Sequence, residues 1–395
     1  MNTSQALYDL TPLLSLLLIG AVLALGPLVW VYGRKRSHAP VQRLQALRIL
    51  TLFLTFDLIL FGAFTRLTDS GLGCPDWPGC YGSTSPWGAN QAIDHAQAAM
   101  PTGPVTQAKA WIEMLHRYLA TGVGALILAM TLLSWANWRE TKNQETSARH
   151  GISPWWATAS LVWVCLQGAF GALTVTMKLF PAIVTLHLAG ALVLLTLLAV
   201  QAVRGSNLAL RLPLSPALGR WTGLALGLLV LQILLGGWVS TNYAVLACSD
   251  FPQCQNRWWP EMNFSQGFEL WRHLGVSSSG EPISFAALTA IHYVHRLMAY
   301  LVLVVLTWLA WQLNRQRLWR THSRVLAALV GLQWATGLSN VVLQWPLVAA
   351  LLHTGGAAAL VLAFTWIWAC KQAEPVAESV KPLEPLPATE RGSLA

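Results

Sequence analysis

The chain has 395 residues, of which 55% are hydrophobic and only 10% charged, with 21 tryptophans and a mean hydropathy of +0.50. Those proportions exclude an ordinary soluble domain and specify a polytopic membrane protein. The net charge of +9 would suit an anionic partner, but its basic residues fall in alternate connectors, so the surplus sets topology rather than binding nucleic acid.

In chain order, apolar runs close to the ~20 residues that a bilayer-spanning helix needs predict nine helices. They lie at about 12–32, 46–65, 111–135, 155–178, 182–203, 219–241, 286–312, 323–343 and 347–370. The first follows a short flank with Asp9 and no Lys or Arg, and precedes Gly33-Arg34-Lys35-Arg36. A cleaved signal peptide has its basic end first, so a retained helix is expected. Basic clusters recur as Arg34, Lys35, Arg36, Arg43 and Arg48, then Arg139, Lys142 and Arg149, then Arg204, Arg211 and Arg220, then Arg315, Arg317, Arg320 and Arg324. The positive-inside rule puts these connectors and the C-terminus in the cytoplasm of a bacterial inner membrane, and the N-terminus in the periplasm. The tail from Lys371, rich in Pro, Glu and Ala, is expected to be disordered.

Omitting the first helix, the rest reads as two halves of four helices. Gly62, Cys74 and Cys80 match Gly236, Cys248 and Cys254 at an offset of 174. Leu166-Gln167-x-Ala169-x-Gly171 matches Leu332-Gln333-x-Ala335-x-Gly337 at an offset of 166, which His187 and His353 share. Four helices per half give both halves one orientation, hence a parallel repeat. The expected fold is an all-α polytopic membrane protein of two pseudo-symmetric four-helix bundles plus one extra N-terminal helix. Its expected divisions are 1–45 (extra helix and basic connector), 46–205, 206–370 and 371–395 (tail).

Four histidines lie in the apolar segments: His116 in Glu113-Met114-Leu115-His116-Arg117, His187, His295 in His292-Tyr293-Val294-His295-Arg296, and His353. All four fall near the starts of helices that enter from the outer side, on the order of 10 Å deep at 1.5 Å per residue. An intramembrane imidazole either hydrogen-bonds a neighbouring helix or serves function. Paired imidazoles on facing helices suit axial ligation of haem iron, with the porphyrin supplying four positions; zinc takes three or four protein ligands. Glycines 171, 190, 337, 355 and 356 would leave room for a flat macrocycle. Glu113 lies three residues before His116, where the second half has His292. It sits at the water boundary, pairs with Arg117 or Arg66, or acts as an acid/base or charge-stabilising group beside the first haem. Arg117 and Arg296 either pair with haem propionates or snorkel. The outer loops share C-x-D-aromatic-P-x-C, in Cys74–Cys80 and Cys248–Cys254. Two local disulfides are the simplest of three connectivities, either clamping the loops or taking a redox part. Trp77, Trp87, Trp258, Trp259 and Trp271 suit the lipid–water interface, and Cys165 and Cys370 read as inert.

The run Thr65-Arg66-Leu67-Thr68-Asp69-Ser70-Gly71-Leu72-Gly73-Cys74-Pro75-Asp76-Trp77-Pro78-Gly79-Cys80 resembles the first outer loop of the haem A synthase family. So do Glu113…His116-Arg117, the His-x-x-His-Arg segment, His187 and His353, over about residues 46–370. The first helix departs from the family's eight-helix plan. The resemblance implies oxidation of the C8 methyl of haem O to a formyl group by successive hydroxylations, supplying haem A to cytochrome oxidase. It implies that His116 and His187 flank the substrate haem, that His295 and His353 ligate haem b, and that Glu113 is the residue closest to catalysis. Implied partners are haem O, membrane lipids, the haem O synthase, oxidase assembly factors and other copies of the chain. The rival readings are a di-haem b electron carrier or quinol oxidoreductase, and a haem-handling assembly factor. Transfer across a membrane favours haems at different depths, whereas these histidines share one.

Overall fold

The computed structural model describes residues 11–35, 39–142, 152–206 and 212–373. Asp9, Arg36, Arg149, Arg211 and the tail from residue 374 lie outside the described residues. The helices are α1 (Thr11–Arg34), α2 (Pro40–Leu67), α3 (Asn90–Ala99), α4 (Gln107–Lys142), α5 (Trp155–Thr176), α6 (Pro181–Arg204), α7 (Pro216–Thr241), α8 (Phe264–Gly267), α9 (Phe285–Asn314), α10 (Arg320–Val342) and α11 (Leu347–Cys370). Among the described residues, nine of these are long and apolar enough to cross a membrane. The chain is an all-α multi-pass membrane protein.

Local sequence sets the helix starts. Proline occupies the first turn of α2, α6 and α7, where its missing N–H costs nothing. Ser215 and Ser284 cap α7 and α9, accepting from Leu218 N and Ala287 N at 3.4 and 3.2 Å. The fourth helix runs from Gln107 to Lys142 rather than 111–135, because helical propensity carries it past both ends of the apolar run. The loop after α2 also holds a helix, α3. Its sequence is too polar to span a membrane but rich in alanine, and its Ile93 packs on Cys74, Cys80, Ala110 and Met114.

Helix α2 packs on α4, α4 on α5, α5 on α6, and α6 back on α2; α7, α9, α10 and α11 close a second circuit. Helices α6 and α11, the most buried, meet between the circuits. Helix α1 lies outside against α4, approaching closely at Gly20, where an added Cβ would fall 2.6 Å from the Thr121 side chain.

On the side of the cysteine loops, Arg66 donates to Ser240 O at 2.5 Å and lies over the Tyr243 ring at 4.1 Å. The Tyr243 hydroxyl donates to Asp69 Oδ1 at 2.8 Å. At the opposite end, strand β1 (Leu212–Leu214) pairs in parallel with β2 (Lys371–Ala373). The expected disorder from Lys371 is therefore corrected for its first three residues. They find backbone partners in the α6–α7 connector, some 160 residues earlier, which no local pattern reveals.

Candidate haem-binding sites

His116 comes from α4, His187 from α6, His295 from α9 and His353 from α11. His187 and His353 each stand six residues past their helix starts, and His116 and His295 nine and ten past theirs. That is roughly 9–15 Å along the axis, all from the cysteine-loop side. His116 and His187 stand on helices of the first circuit and His295 and His353 on helices of the second, so the four divide into two pairs, one in each circuit.

Every one of these rings sits against a glycine of the neighbouring helix. A Cβ on Gly62 would lie 3.0 Å from His116 Nε2, and one on Gly236 3.0 Å from His295 Cε1. On Gly337 it would lie 3.2 Å from His353 Cε1, and on Gly171 3.4 Å from His187 Cε1. Sequence reasoning noticed Gly62 and Gly236 only as repeat landmarks; they are ring seats. Phe61 stacks on His116, with centroids 6.3 Å apart and planes 7° apart.

Polar partners hold three of the four imidazoles, and sequence reasoning gave them no role. Gln167 Nε2 lies 3.1 Å from His187 Nδ1 and donates to His187 O at 2.5 Å. Gln333 Nε2 donates to His353 O at 2.8 Å, and Thr336 Oγ1 lies 3.0 Å from His353 Nδ1. Gln232 Nε2 is 3.1 Å from His295 Nδ1. The repeated L-Q-x-A-x-G motif was the available signal for Gln167 and Gln333. Gly190 and Gly356 seat these two amides, since an added Cβ would come within 2.3 Å of Gln167 and 2.4 Å of Gln333.

Glu113 is 4% exposed. Its Oε1 pairs with Arg117 Nη2, and its Oε2 accepts from Cys74 N–H at 2.8 Å. The pairing with Arg66 is not made, since Arg66 binds Asp69 and Ser240 instead. In the second half His292 Nδ1 lies 3.1 Å from Ala244 O and 3.4 Å from Cys248 N. Each first cysteine amide thus faces the side chain that precedes the histidine by three residues.

The two arginines correct the expectation that they snorkel. Arg117 Nη1 donates to the carbonyls of Asp76, Pro78 and Gly79 at 3.0, 3.2 and 2.6 Å. Arg296 donates to Asp250, Gln253 and Cys248 at 2.9, 2.8 and 3.1 Å. Both are buried, with guanidinium donors turned to loop carbonyls rather than snorkelling to water. A loop folded back on itself points several carbonyls inward, and a guanidinium fork satisfies them together.

The cysteines join as Cys74–Cys80 and Cys248–Cys254, with all four buried. Asp76 accepts from Tyr81 and Gly82 amides at 2.5 and 2.8 Å, and Asp250 from Gln255 and Asn256 amides at 2.7 and 2.9 Å. The shared aspartate therefore ties the turn that follows the second cysteine. Partial burial works to raise the Asp250 pKa. The Asn256 and Gln255 amides and the nearby Arg296 outweigh it and hold the carboxyl below the usual carboxylate range. Cys165 and Cys370 are free thiols. The five loop tryptophans are exposed, as an interfacial position requires.

The donor set fits haem. Among the described residues no group of three or more His, Cys, Asp or Glu converges as a metal site, which disfavours zinc. Two imidazoles with glycine-cleared surroundings leave a planar ligand to complete an iron's coordination.

The sequence is similar to known proteins over most of its length. The COX15-CtaA model, described as cytochrome oxidase assembly protein, matches residues 45–365. The chain is similar to the heme A synthase of Shewanella oneidensis, 36% identical over 325 residues, covering 80% of this chain and 93% of that one. It is 27% identical to the heme A synthases of Caulobacter vibrioides and Alkalihalophilus pseudofirmus, covering 79% of this chain and 92% of each. The chain therefore belongs to the COX15-CtaA family of cytochrome oxidase assembly proteins.

Proposed function

We propose that this protein is a haem A synthase, an oxidoreductase that converts the C8 methyl of haem O to a formyl group. The observation that carries the reading is the two histidine pairs, one in each helix circuit, with each ring seated on a glycine, in a chain of this family. His116 and His187 hold the substrate haem, and His295 and His353 hold haem b. The first half, residues 46–205, is then the reacting half, and the second, residues 206–370, the resident-haem half.

Bound haem b supplies a one-electron redox centre. The chain's own residues bind, orient and enclose. Gly62 and Gly171 seat the His116 and His187 rings that would hold the first haem. Two hydroxylations of the substrate methyl give a hydrated aldehyde that loses water. Glu113 lies one helical turn from His116 and locks the Cys74 loop through the Cys74 amide and Arg117. Acid/base use of this carboxylate would require that pair to open first. The cysteine bridges clamp the outer loops.

The basic connectors support a bacterial inner-membrane location with the C-terminus cytoplasmic. Haem O is the substrate partner; the haem O synthase, oxidase assembly factors and further copies of the chain are candidate neighbours. Membranes that make haem O and contain this protein will accumulate haem A, with hydroxylated haem as an intermediate, read by extraction and chromatography. Unchanged haem O under aerobic conditions, with the protein folded and haem-loaded, would overturn the proposal and favour the di-haem carrier.

A further inference from the structure

We infer that α1 is a positioning element for the first half: it packs against the Cys74–Cys80 loop and holds it on α4, so that Glu113 and Arg117 keep their places one turn from His116. The second half works without such a helix. The role in turnover rests on the haem A synthase reading above; the holding of the loop does not.

The family match starts at residue 45, so α1, which ends at Arg34, lies outside it. Its contact residues nevertheless form one stripe. Leu16, Gly20, Ala24 and Val31 are buried, at spacings of four and seven, while Leu14, Leu17, Leu18, Val22 and Leu25 are exposed. A Cβ on Gly20 would fall 2.6 Å from Thr121 Cγ2, and one on Gly122 would fall 3.4 Å from Leu23 Cβ and 3.7 Å from Gly20 O. Small residues at such a crossing let two backbones approach, which favours helix association in a membrane.

The outer end of α1 reaches the loop. Leu16 packs in one cluster with Cys74, Cys80, Ile93, Met114 and Tyr118. Pro12 Cβ lies 3.4 Å from where a Cβ on Gly79 would stand. Gly79 O is the carbonyl that Arg117 holds at 2.6 Å, and Cys74 N–H is the donor to Glu113. At the Gly20 crossing, Thr121 donates to Arg117 O at 2.7 Å. Arg117 thus draws the loop onto α4, and α1 packs against both the loop and the turn of α4 that carries Arg117.

The second half is built differently at the same place. The interval of 179 that relates His116 to His295 carries Tyr118, Thr121, Gly122 and Ala125 onto Leu297, Tyr300, Leu301 and Val304. These four are 42%, 41%, 49% and 66% exposed, whereas Tyr118 and Gly122 are buried. Their bulk bars the close approach that Gly122 permits. The seat for an extra helix exists in the first half alone.

The test uses purified full-length protein as wild type, Leu16→Ala, Leu16→Met, Gly20→Leu and Gly26→Leu, the last a control with nothing within 4 Å of the new Cβ. Both disulfides are fully buried, so a water-soluble phosphine reaches each one through local opening of its loop. Reduction of each bridge is timed by alkylation and peptide mass spectrometry. Leu16→Ala and Gly20→Leu are expected to speed reduction of Cys74–Cys80 about tenfold or more and to leave Cys248–Cys254 at its wild-type rate. Leu16→Met and Gly26→Leu are expected to keep both rates near wild type. In the first two variants kcat for haem O conversion should fall while haem b content stays full. Unchanged reduction of the first bridge overturns the inference, as does equal acceleration of both bridges, which assigns the effect to general loosening. Faster reduction with unchanged kcat confines α1 to the loop and overturns its role at the site. Should neither Leu16→Ala nor Gly20→Leu fold, the smaller change Leu16→Val is read in the same way. Wild-type protein that makes no haem A would defeat the synthase reading, whereas the ratio of the two reduction rates would still decide whether α1 holds the loop.

Discussion

Replacing Gly62 with alanine tests the ring seats directly. The new Cβ would stand 3.0 Å from His116 Nε2, where ordinary contact begins near 3.4 Å, so the imidazole must retreat by about 0.4 Å. It cannot tilt freely, because Phe61 lies nearly parallel to it. Alanine in a helix interior gains about 0.5–1 kcal/mol over glycine, and overpacking costs about 1–3 kcal/mol. The fold therefore loses between about 0 and 2.5 kcal/mol while the ligand is displaced. Extending the change to the other seats makes a graded series. Gly236→Ala, also at 3.0 Å, should match Gly62→Ala; Gly337→Ala at 3.2 Å should be milder, and Gly171→Ala at 3.4 Å milder still. Gly124→Ala, with nothing within 4 Å, should keep full haem and gain slightly in thermal stability. The assay is haem content by type per folded protein, with unfolding followed by heating and size exclusion. Gly62→Ala should deplete the substrate haem and spare haem b, and Gly236→Ala should do the reverse. Haem loss as large in Gly124→Ala as in Gly62→Ala, or loss that ignores these distances, would refute the argument.

Glu113→Gln should lower stability by about 2 kcal/mol, below the roughly 3–5 kcal/mol for breaking a buried pair, since the amide still accepts from Cys74 N–H and Arg117 keeps three carbonyls. Thermal unfolding measures it, and no change would remove the clamp role. Replacing Cys248 and Cys254 with serine opens a bridge of sequence separation 6, costing about 2–2.5 kcal/mol by loop entropy; reductant should lower the wild-type melting temperature towards the mutant's and leave the mutant unaffected by that bridge. The depressed Asp250 pKa means its support of the second loop is complete above the unfolded value of 3.8 and fades as pH falls through the lower folded value. Amide exchange at Gln255 and Asn256 should thus show no extra opening between pH 5 and 8, and extra opening appearing there would contradict the assignment.

The spans were legible because a bilayer demands about 20 apolar residues in sequence; α11 has its expected bounds, and α6 differs by one residue at each end. Histidine pairing was legible through the repeat. The second ring of contacts was not. Thr336 and Gln232 look like ordinary helix residues, and only the packing of α10 on α11 and α7 on α9 brings them to an imidazole. The Glu113–Arg117 pair was legible from its spacing, but the other partners of Arg117 are carbonyls about 40 residues away, and carbonyls leave no mark in a sequence. Lys371–Ala373 was misread because compositional bias describes a segment alone, not the strand it meets.

The contacts joining the two circuits carry one more meaning. Arg66 touches the residue 174 places later, and so does Asp69, the same interval that relates the cysteine loops. Each of these positions faces its own copy, which happens only where a two-fold relation has its centre. A dimer of identical half-length chains would there set arginine against arginine and aspartate against aspartate, repelling at contact range. Fusion into one chain releases that constraint: the copy of Arg66 is Ser240, offering a carbonyl, and the copy of Asp69 is Tyr243, offering a hydroxyl and a ring. At the centre of this molecule two matched positions meet as unlike residues, which a single chain allows and a pair of identical chains does not.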